Sequence, residues 1–220
     1  MGVSVRNVVV SGVLLVLFAV VVGVAVVVTK PSTEPGGAQA AGASSSVVRQ
    51  DSHVLDEAGE GAPVLVEFLD FECEACLAAY PLVEQVRKEY AGELTFVVRY
   101  FPIDGHANSM NAAVAVEAAA QQGRFEDMYE RMYQTQPEWG EQQESKAPLF
   151  RQFAQELGLD IEAYDAAVAD PATQQRVEQD RQDGMALGVQ GTPTFFLDGE
   201  PMQLTSAEDF RAQIDAAVND

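Results

Sequence analysis

The sequence predicts an α/β domain, because strand-like and helix-like segments alternate along most of the chain. Residues 64–69 and 94–101 are apolar, β-rich runs with the length of strands, and residues 75–90 between them have the composition of a helix. A long segment with helical periodicity, about residues 103–187, follows the second strand. With 220 residues, of which 47% are hydrophobic, the chain is long enough for one domain with a substantial core, expected at residues 53–220.

The acidic composition of the chain narrows the classes of partner. Thirty-four acidic residues against 13 basic residues give a net charge of −21. Such a charge repels the phosphate backbone of nucleic acids and the headgroups of anionic lipids. The sequence therefore argues against nucleic-acid partners and against docking of the domain onto an anionic membrane surface.

The N-terminus predicts a membrane anchor. Residues 8–28 contain no charged residue, and Arg6 and Lys30 flank them. At ~1.5 Å per residue, a helix of this length spans the ~30 Å hydrocarbon core, whereas the apolar region of a cleaved signal peptide has ~7–15 residues. We therefore expect residues 1–30 to form a single-span signal anchor, a transmembrane helix. A cleaved signal is the alternative, because a small-residue cleavage site lies at residues 38–40.

A flexible linker is expected at residues 31–52, where Gly, Ala, Ser and Pro are frequent. A lone membrane span before a folded domain mostly serves to export that domain. We therefore expect residues 53–220 on the extracytoplasmic side of the cell membrane, where disulfides form and persist.

The first elements of the domain form a strand–helix–strand unit. Residues 53–55 are expected to form a short edge strand, and residues 64–69 a buried strand in which Glu67 is the polar exception. The helix that follows contains Pro81, which predicts a kink. Pro102 ends the next strand.

The helical segment is expected to contain several amphipathic helices. Its clearest apolar stripe, at i, i+3, i+4, i+7 and i+8, consists of Phe125, Met128, Tyr129, Met132 and Tyr133. Asn108, Asp160 and Asp170 have the residue types and positions of helix N-caps. Residues 134–146, which include Trp139, have the composition of a polar connection, and the sequence assigns Trp139 no role.

The C-terminal part of the domain returns to strand. Residues 191–197 predict a strand, and Asp198 followed by Gly199 predicts a two-residue hairpin turn into a short strand at residues 202–204. Residues 205–208 have the pattern of a capping box, which predicts that a last helix begins there.

The chain has two cysteines, Cys73 and Cys76, at the point where the first buried strand gives way to a helix. Free backbone N–H groups and the helix dipole favour a thiolate at a helix start, and a second thiol one turn on can close a short disulfide. This pattern predicts thiol–disulfide exchange. The alternatives are two structural thiols or half of a zinc site. Zinc is disfavoured because structural sites use four ligands and His53 and His106 are the only histidines. We expect no metal and no cofactor.

The cysteine motif and a distant Thr-Pro pair together resemble a known family. Residues 71–76, with Pro81 eight residues after the first cysteine, resemble the active site of the thioredoxin superfamily, and residues 191–195 resemble its cis-proline loop. The helical segment between them is similar to the helical domain inserted in DsbA-like proteins. Residues 99–106 and 122–125 are also similar to membrane-anchored or secreted bacterial DsbA relatives. The resemblance implies a thioredoxin fold with an inserted helical domain, preceded here by one N-terminal transmembrane helix and a flexible linker.

The resemblance also implies roles for five residues. Cys73 would be the exposed nucleophile and Cys76 the buried resolving thiol. Thr192 and Pro193 would present backbone groups beside Cys73 to an extended substrate. Glu67 matches the buried acidic residue that relays the proton of the resolving thiol, and a carboxyl group inside an apolar strand should have a raised pKa. The implied partners are exported proteins with free thiols and a membrane quinone-linked protein, of DsbB or VKOR type, that reoxidises the pair.

The dipeptide between the cysteines leaves the function open among three alternatives. It is Glu-Ala here, whereas strongly oxidising DsbA proteins have a Pro-His type, and Glu72 and Glu74 place carboxylates beside the thiolate. The first alternative is an extracytoplasmic thiol:disulfide oxidase for exported proteins. The second is a disulfide reductase or isomerase on the same fold. The third is a tethered binding or chaperone module in which the cysteines only staple the start of a helix.

Overall fold

The computed structural model describes residues 46–219, which are built around a five-stranded mixed sheet. The strands are His53–Asp56 (β1), Val64–Leu69 (β2), Thr95–Tyr100 (β3), Thr194–Leu197 (β4) and Glu200–Pro201 (β5). Their order is β1-β3-β2-β4-β5, so β2 is the central strand. It runs parallel to β3 and antiparallel to β4, and the two edge strands pair antiparallel with their neighbours. The edge strand predicted at residues 53–55 is confirmed as β1.

Seven helices accompany this sheet within residues 46–219. Helix α1 (Glu74–Glu89) follows β2, and five helices lie between β3 and β4. These five are Ser109–Ala120 (α2), Phe125–Trp139 (α3), Ala147–Glu156 (α4), Ile161–Ala169 (α5) and Pro171–Ala186 (α6). The last helix, α7, is Ala207–Asn219. All five inserted helices lie inside the segment that the sequence predicts to be helical.

Two of the three predicted caps bond in the expected way. The carboxylate of Asp160 accepts from two backbone N–H groups at the start of α5, and that of Asp170 accepts from one at the start of α6. Asn108 also lies at a cap position, but its side chain makes no cap bond to α2. It is fully buried and instead bonds to the segment before α4, where its Oδ1 accepts from the backbone N–H of Lys146 at 2.7 Å.

Apolar side chains cover both faces of the sheet. On one face, Leu65 and Leu69 belong to a large core shared with α1, α7 and the inserted helices. On the other face, Val66 and Phe68 belong to a smaller core. Because successive side chains of a strand point to opposite faces, Glu67 shares the face of Leu65 and Leu69. The fold therefore places this carboxyl group inside the larger core.

The prediction of a polar connection at residues 134–146 is wrong for its first part. Helix α3 continues through Trp139, and the indole ring is completely buried. The ring lies 4.9 Å from that of Phe150 between centroids, and Nε1 donates to Oγ1 of Thr135 at 3.2 Å. The polar composition of this segment conceals one buried helical face, formed by Thr135, Gln136 and Trp139 at i, i+1 and i+4.

The short strand predicted at residues 202–204 is also misplaced. Asp198 and Gly199 have φ angles of 50° and 88°, the left-handed conformations that a tight two-residue hairpin turn requires. Pairing therefore resumes directly after the turn, with Leu197 opposite Glu200. The strand β5 consequently begins two residues earlier than expected.

The predicted membrane anchor and most of the linker, residues 1–45, lie outside the described residues. Within residues 46–219, no helix combines the length and the apolar character needed to cross a membrane. The last residues before β1 contact the domain, because the Arg99 guanidinium donates to the carbonyl oxygens of Ser46 and Val47 at 3.1 and 2.8 Å.

Candidate active site

The two cysteines lie at the start of α1, directly after the central strand. Cys73 is the N-cap residue, with an extended backbone, and its N–H donates to the carbonyl oxygen of Asp70 at 3.1 Å. Cys76 lies one turn further along the helix. Both are free thiols, and their exposed fractions are 8% for Cys73 and 1% for Cys76. Both cysteines are therefore buried, contrary to the prediction of an exposed Cys73, although Cys73 keeps more contact with solvent than Cys76.

The surroundings of the two thiols shift their pKa values in opposite directions. A hydrogen bond with Cys76 lowers the pKa of Cys73 to about 5 against the effect of burial, and further hydrogen bonds from Thr192 and from the N–H groups of Cys76 and Ala75 add to the shift. Burial raises the pKa of Cys76 well above its usual value, with added contributions from Cys73 and the charge of Glu67. The stable reduced form is therefore a Cys73 thiolate beside a Cys76 thiol.

The Thr-Pro pair lies directly against the first thiol. The peptide bond between Thr192 and Pro193 is cis, as the resemblance implies. In the thiol form, Sγ of Cys73 donates to the carbonyl oxygen of Thr192 at 3.3 Å. Beside Pro193 is an apolar groove of about 280 Å³. Its lining includes Ala79, Leu82, Phe195, Leu204 and Phe210.

Glu67 lies in the core behind the cysteines. It is in the central strand of the sheet, not in an edge strand. Its exposed fraction is 2%, and its Oε2 has no hydrogen-bond partner among the described residues. Burial, followed by the charge of Glu84, raises the pKa of Glu67 to about 8. Its charge also acts on both Cys73 and Cys76, so a neutral carboxyl group is favoured while Cys73 is a thiolate.

Asp70, which the sequence analysis did not single out, holds the turn before the cysteines. Its buried carboxylate accepts from the N–H of Glu72 at 2.9 Å and from that of Ile103 at 3.1 Å. The same carboxylate is 2.6 Å from Nδ1 of His106. One side chain thus ties the active-site turn to the connection between β3 and α2. The position directly after a buried strand and close to the cysteines was the available sequence signal, but the partners are distant in sequence.

Glu72 does not have the position that the sequence suggested. Instead of lying at the surface, it is 1% exposed, and its Oε2 accepts from the N–H of Asn108 at 2.6 Å. Glu74, the first residue of α1, is the exposed carboxylate of the pair. It lies next to Glu141, and a hydrogen bond between the two raises the pKa of Glu141. Glu74, which follows Cys73 in the sequence, and Glu141 therefore form an acidic pair at the surface.

Gln136 is the other contact that the sequence did not reveal. Its buried Nε2 donates to the carbonyl oxygens of Phe71 and Cys73, at 2.8 and 3.0 Å. The residue belongs to α3, so an inserted helix supports the backbone of the cysteine turn. In the part of the chain that the structure describes, no three His, Cys, Asp or Glu side chains are grouped so that they could hold a metal ion.

Comparison with known proteins identifies the family. A family model described as Thioredoxin matches residues 59–216, well over half of the chain. This chain belongs to the thioredoxin family.

Solved structures place its fold among the DsbA-like members. The TM-score is 0.68 against a double variant of alpha-DsbA1 from Wolbachia pipientis, at 18% identity, over 80% of this chain and 96% of that one. The TM-score is 0.66 against a thioredoxin-like oxidoreductase from Silicibacter pomeroyi DSS-3, at 25% identity, over 82% of this chain and 99% of that one. The fold of this thioredoxin-family chain is therefore similar to that of DsbA proteins, as the sequence predicts.

A curated relative is named Na(+)/H(+) antiporter NhaA 1, from Mycobacterium sp. (strain KMS). It is 37% identical over 142 residues, which are 62% of this chain and 22% of that protein. The chain thus spans about a fifth of the length of the curated relatives it matches.

Proposed function

We propose that this thioredoxin-family chain is an extracytoplasmic thiol:disulfide oxidoreductase that introduces disulfides into exported proteins through Cys73 and Cys76. The observation that carries the proposal is the asymmetry of the two thiols. Cys73 keeps a small exposed area and has a depressed pKa, whereas Cys76 is almost fully buried and has a raised pKa. Two structural thiols would need no such difference, whereas exchange requires one good leaving group and one resolving group.

The reaction begins with the disulfide between Cys73 and Cys76. A substrate thiolate attacks Sγ of Cys73, the bond to Cys76 breaks, and the Cys76 sulfur leaves with the electron pair and gains a proton. A second substrate thiolate then attacks the substrate sulfur of the mixed disulfide, and Cys73 leaves as a thiolate. The substrate loses two electrons and two protons, and the cysteine pair gains the two electrons.

Glu67 is proposed to supply and accept the proton of Cys76. The carboxyl group is buried on the same side of the sheet as α1, and its charge acts on the Cys76 thiol. With a pKa of about 8, it can carry a proton at neutral pH. A proton from the neutral carboxyl group would spare the Cys76 sulfur a buried unpaired charge, which is costly.

Substrate binding is proposed at Thr192, Pro193 and the adjacent groove. The Thr192 carbonyl oxygen already lies within bonding distance of Sγ of Cys73, so an extended chain attached to that sulfur would run along this backbone. The groove beside Pro193 offers mainly apolar surface. These features suit exposed apolar segments of proteins that have not yet folded.

The same thiolate supports the proposed oxidising direction. A low pKa stabilises the reduced form of the pair and makes Cys73 a good leaving group, so that the disulfide tends to be passed on. The pair must then be reoxidised, and we propose a membrane quinone-linked partner of DsbB or VKOR type. An anchor at residues 8–28 would keep the domain near such a partner.

Trapping of thiols in living cells tests the proposal. An oxidase should be found mainly with the Cys73–Cys76 disulfide closed at steady state, whereas a mainly reduced pair would favour the reductase or isomerase alternative. Loss of function in Cys73→Ser is expected for an oxidase and for a reductase or isomerase. Full function of Cys73→Ser would instead indicate a tethered binding or chaperone module.

A further inference from the structure

His106 is held in one orientation near the active-site cysteines. It lies in the connection between β3 and α2, and its Nδ1 is 2.6 Å from Oδ2 of Asp70. The Asp70 carboxylate is itself fixed by the N–H groups of Glu72 and Ile103, and its side chain has no exposed surface. The imidazole is about a quarter exposed, so it stands between the buried carboxylate and solvent.

The same aspartate connects His106 to Cys73. The backbone carbonyl oxygen of Asp70 accepts from the N–H of Cys73, so the two residues are anchored to one turn. Partial burial opposes protonation of the imidazole, but the hydrogen bond and charge of Asp70, followed by the charges of Cys73 and Glu72, raise the pKa of His106. A thiolate at Cys73 therefore favours the imidazolium form of His106.

We propose that His106 is a positioning residue whose imidazolium supports the thiolate form of Cys73, so that the protonation of His106 is linked to the redox state of the cysteine pair. The inference rests on the proposed exchange function of that pair. The dipeptide between the cysteines provides no cation, since it is Glu-Ala. The cation that supports the thiolate is instead His106, from the connection between β3 and α2.

The linkage follows from the charges of the two redox states. In the disulfide, the Cys73 sulfur carries no charge. Reduction by two electrons and one proton leaves a thiol at Cys76 and a thiolate at Cys73, and the imidazolium gains a partner. Because coupling between two sites is reciprocal, the pKa of His106 must be higher in the dithiol form than in the disulfide form. Deprotonation of His106 at higher pH should in turn raise the pKa of Cys73 and make the pair less oxidising.

Other charged groups face this histidine. Asp70 and Glu72 come from the turn between β2 and α1, and Glu141 comes from the segment after α3. Asp104, on the same connection as His106, is paired with Arg181 at 2.8 Å. These carboxylates are present in both redox states, whereas the charge of Cys73 exists only in the dithiol form. A difference between the two states therefore reports on Cys73.

The test is an NMR titration of the full chain, which contains only two histidines. The variant His53→Asn assigns the two ring signals. It is also the matched control for substitution of His106, because His53 likewise lies 2.7 Å from a carboxylate, that of Glu117. We expect the pKa of His106 to be about 0.5–1 unit higher in the dithiol form than in the disulfide form. Equal His106 values in the two forms would overturn the proposal.

A second measurement uses the cysteine as the reporter. His106→Asn keeps a short donor for Asp70 but removes the charge. Its Cys73 alkylation rate with iodoacetamide should rise at a pH about 0.5–1 unit higher than in the native chain, with no change in His53→Asn. An unchanged midpoint in His106→Asn would contradict the proposal. Neither measurement depends on whether the pair acts as an oxidase or a reductase in cells, so failure of the proposed function would be recognised separately.

Discussion

Nε2 of Gln136, in the third helix, donates a hydrogen bond to the backbone carbonyl oxygen of Cys73 at 3.0 Å. The same amide nitrogen bonds to the carbonyl oxygen of Phe71 at 2.8 Å. The inserted helical segment therefore does more than cover the sheet. It fixes the backbone on both sides of Glu72, where the chain turns from the central strand into α1, and so fixes the direction of the Cys73 side chain.

Replacing Gln136 by Leu should destabilise the fold by about 1–3 kcal/mol, because the carbonyl groups of Phe71 and Cys73 lose a buried donor. Urea denaturation of the full chain in its reduced form measures the change. Gln142→Leu is the control, since Gln142 is exposed and donates only to the carbonyl of Glu138. The control should stay within ~0.5 kcal/mol of the native chain. Equal effects of the two substitutions would show that the Gln136 contacts add no stability.

The order of the two cysteines in catalysis can be tested by trapping. Cys73 has access to solvent and a depressed pKa, whereas Cys76 is buried. Cys76→Ser should therefore accumulate mixed disulfides with other proteins, because the resolving thiol is missing, and Cys73→Ser should accumulate none. Non-reducing gels of the two variants from cells measure this. Similar trapping by both variants, or by neither, would reverse or remove the proposed roles.

Glu67 should make the reduced chain less stable as the pH rises. Its pKa is about 8 in the folded chain, against an ordinary value of 4.5, so between these values the folded state binds more protons than the unfolded state. The free energy of unfolding therefore falls with rising pH in this range, and the total cost reaches about 3 kcal/mol at pH 7. Glu67→Gln carries no such cost and should be the more stable protein at pH 7.

Thermal or urea unfolding at pH 5 and pH 7 measures this difference. The stability gap between Glu67→Gln and the native chain should widen by ~2 kcal/mol from pH 5 to pH 7. Glu93→Gln makes the same substitution at an exposed glutamate and is the matched control. A constant gap for Glu67→Gln would mean that the buried carboxyl group titrates normally. Glu67→Gln should also exchange the Cys76 proton more slowly, and it should therefore react more slowly with substrate thiols.

Local sequence patterns account for the parts of the site that lie along one stretch of chain. The strand end, the helix start and the cysteine spacing are all local, and the resemblance to the cis-proline loop placed Thr192 beside Cys73. The contacts that sequence did not reveal depend on tertiary structure. Asp70 and His106 are brought together by the parallel pairing of β2 and β3, and Gln136 reaches Cys73 only because α3 packs against the turn. Trp139 and Gln136 were hidden for the same reason, since a single buried face within a polar segment leaves a weak pattern.

The N-terminal segment can be tested independently of the redox site. If residues 8–28 form a retained anchor, the full-length protein should stay in membranes after a carbonate wash, and its C-terminal domain should be accessible to protease from outside the cell. A soluble product that begins near Ala41 would show that the segment is a cleaved signal instead. Protection of the domain from external protease would place it on the cytoplasmic side and contradict the proposed location.

The strength of the pair as an oxidant should depend on the exposed carboxylate of Glu74. It is the first residue of α1 and lies next to Glu141, so negative charge is concentrated beside the Cys73 thiolate. Glu74→His should lower the pKa of Cys73 and make the disulfide a stronger oxidant. The shift in potential should be on the order of 20–40 mV, and Glu74→Gln, which removes the charge without adding a cation, should give about half of it.

Alkylation rate against pH, together with the equilibrium with glutathione, measures both quantities for the Glu74 variants. Glu89→His makes the same substitution at the exposed far end of α1 and should leave the pKa of Cys73 and the potential unchanged. An unchanged or more reducing potential in Glu74→His would contradict the explanation that the charge of Glu74 weakens the pair as an oxidant. The native potential is informative as well, because a value near that of thioredoxin, about −270 mV, would favour a reductase, whereas a distinctly higher value is what an oxidase of exported proteins requires.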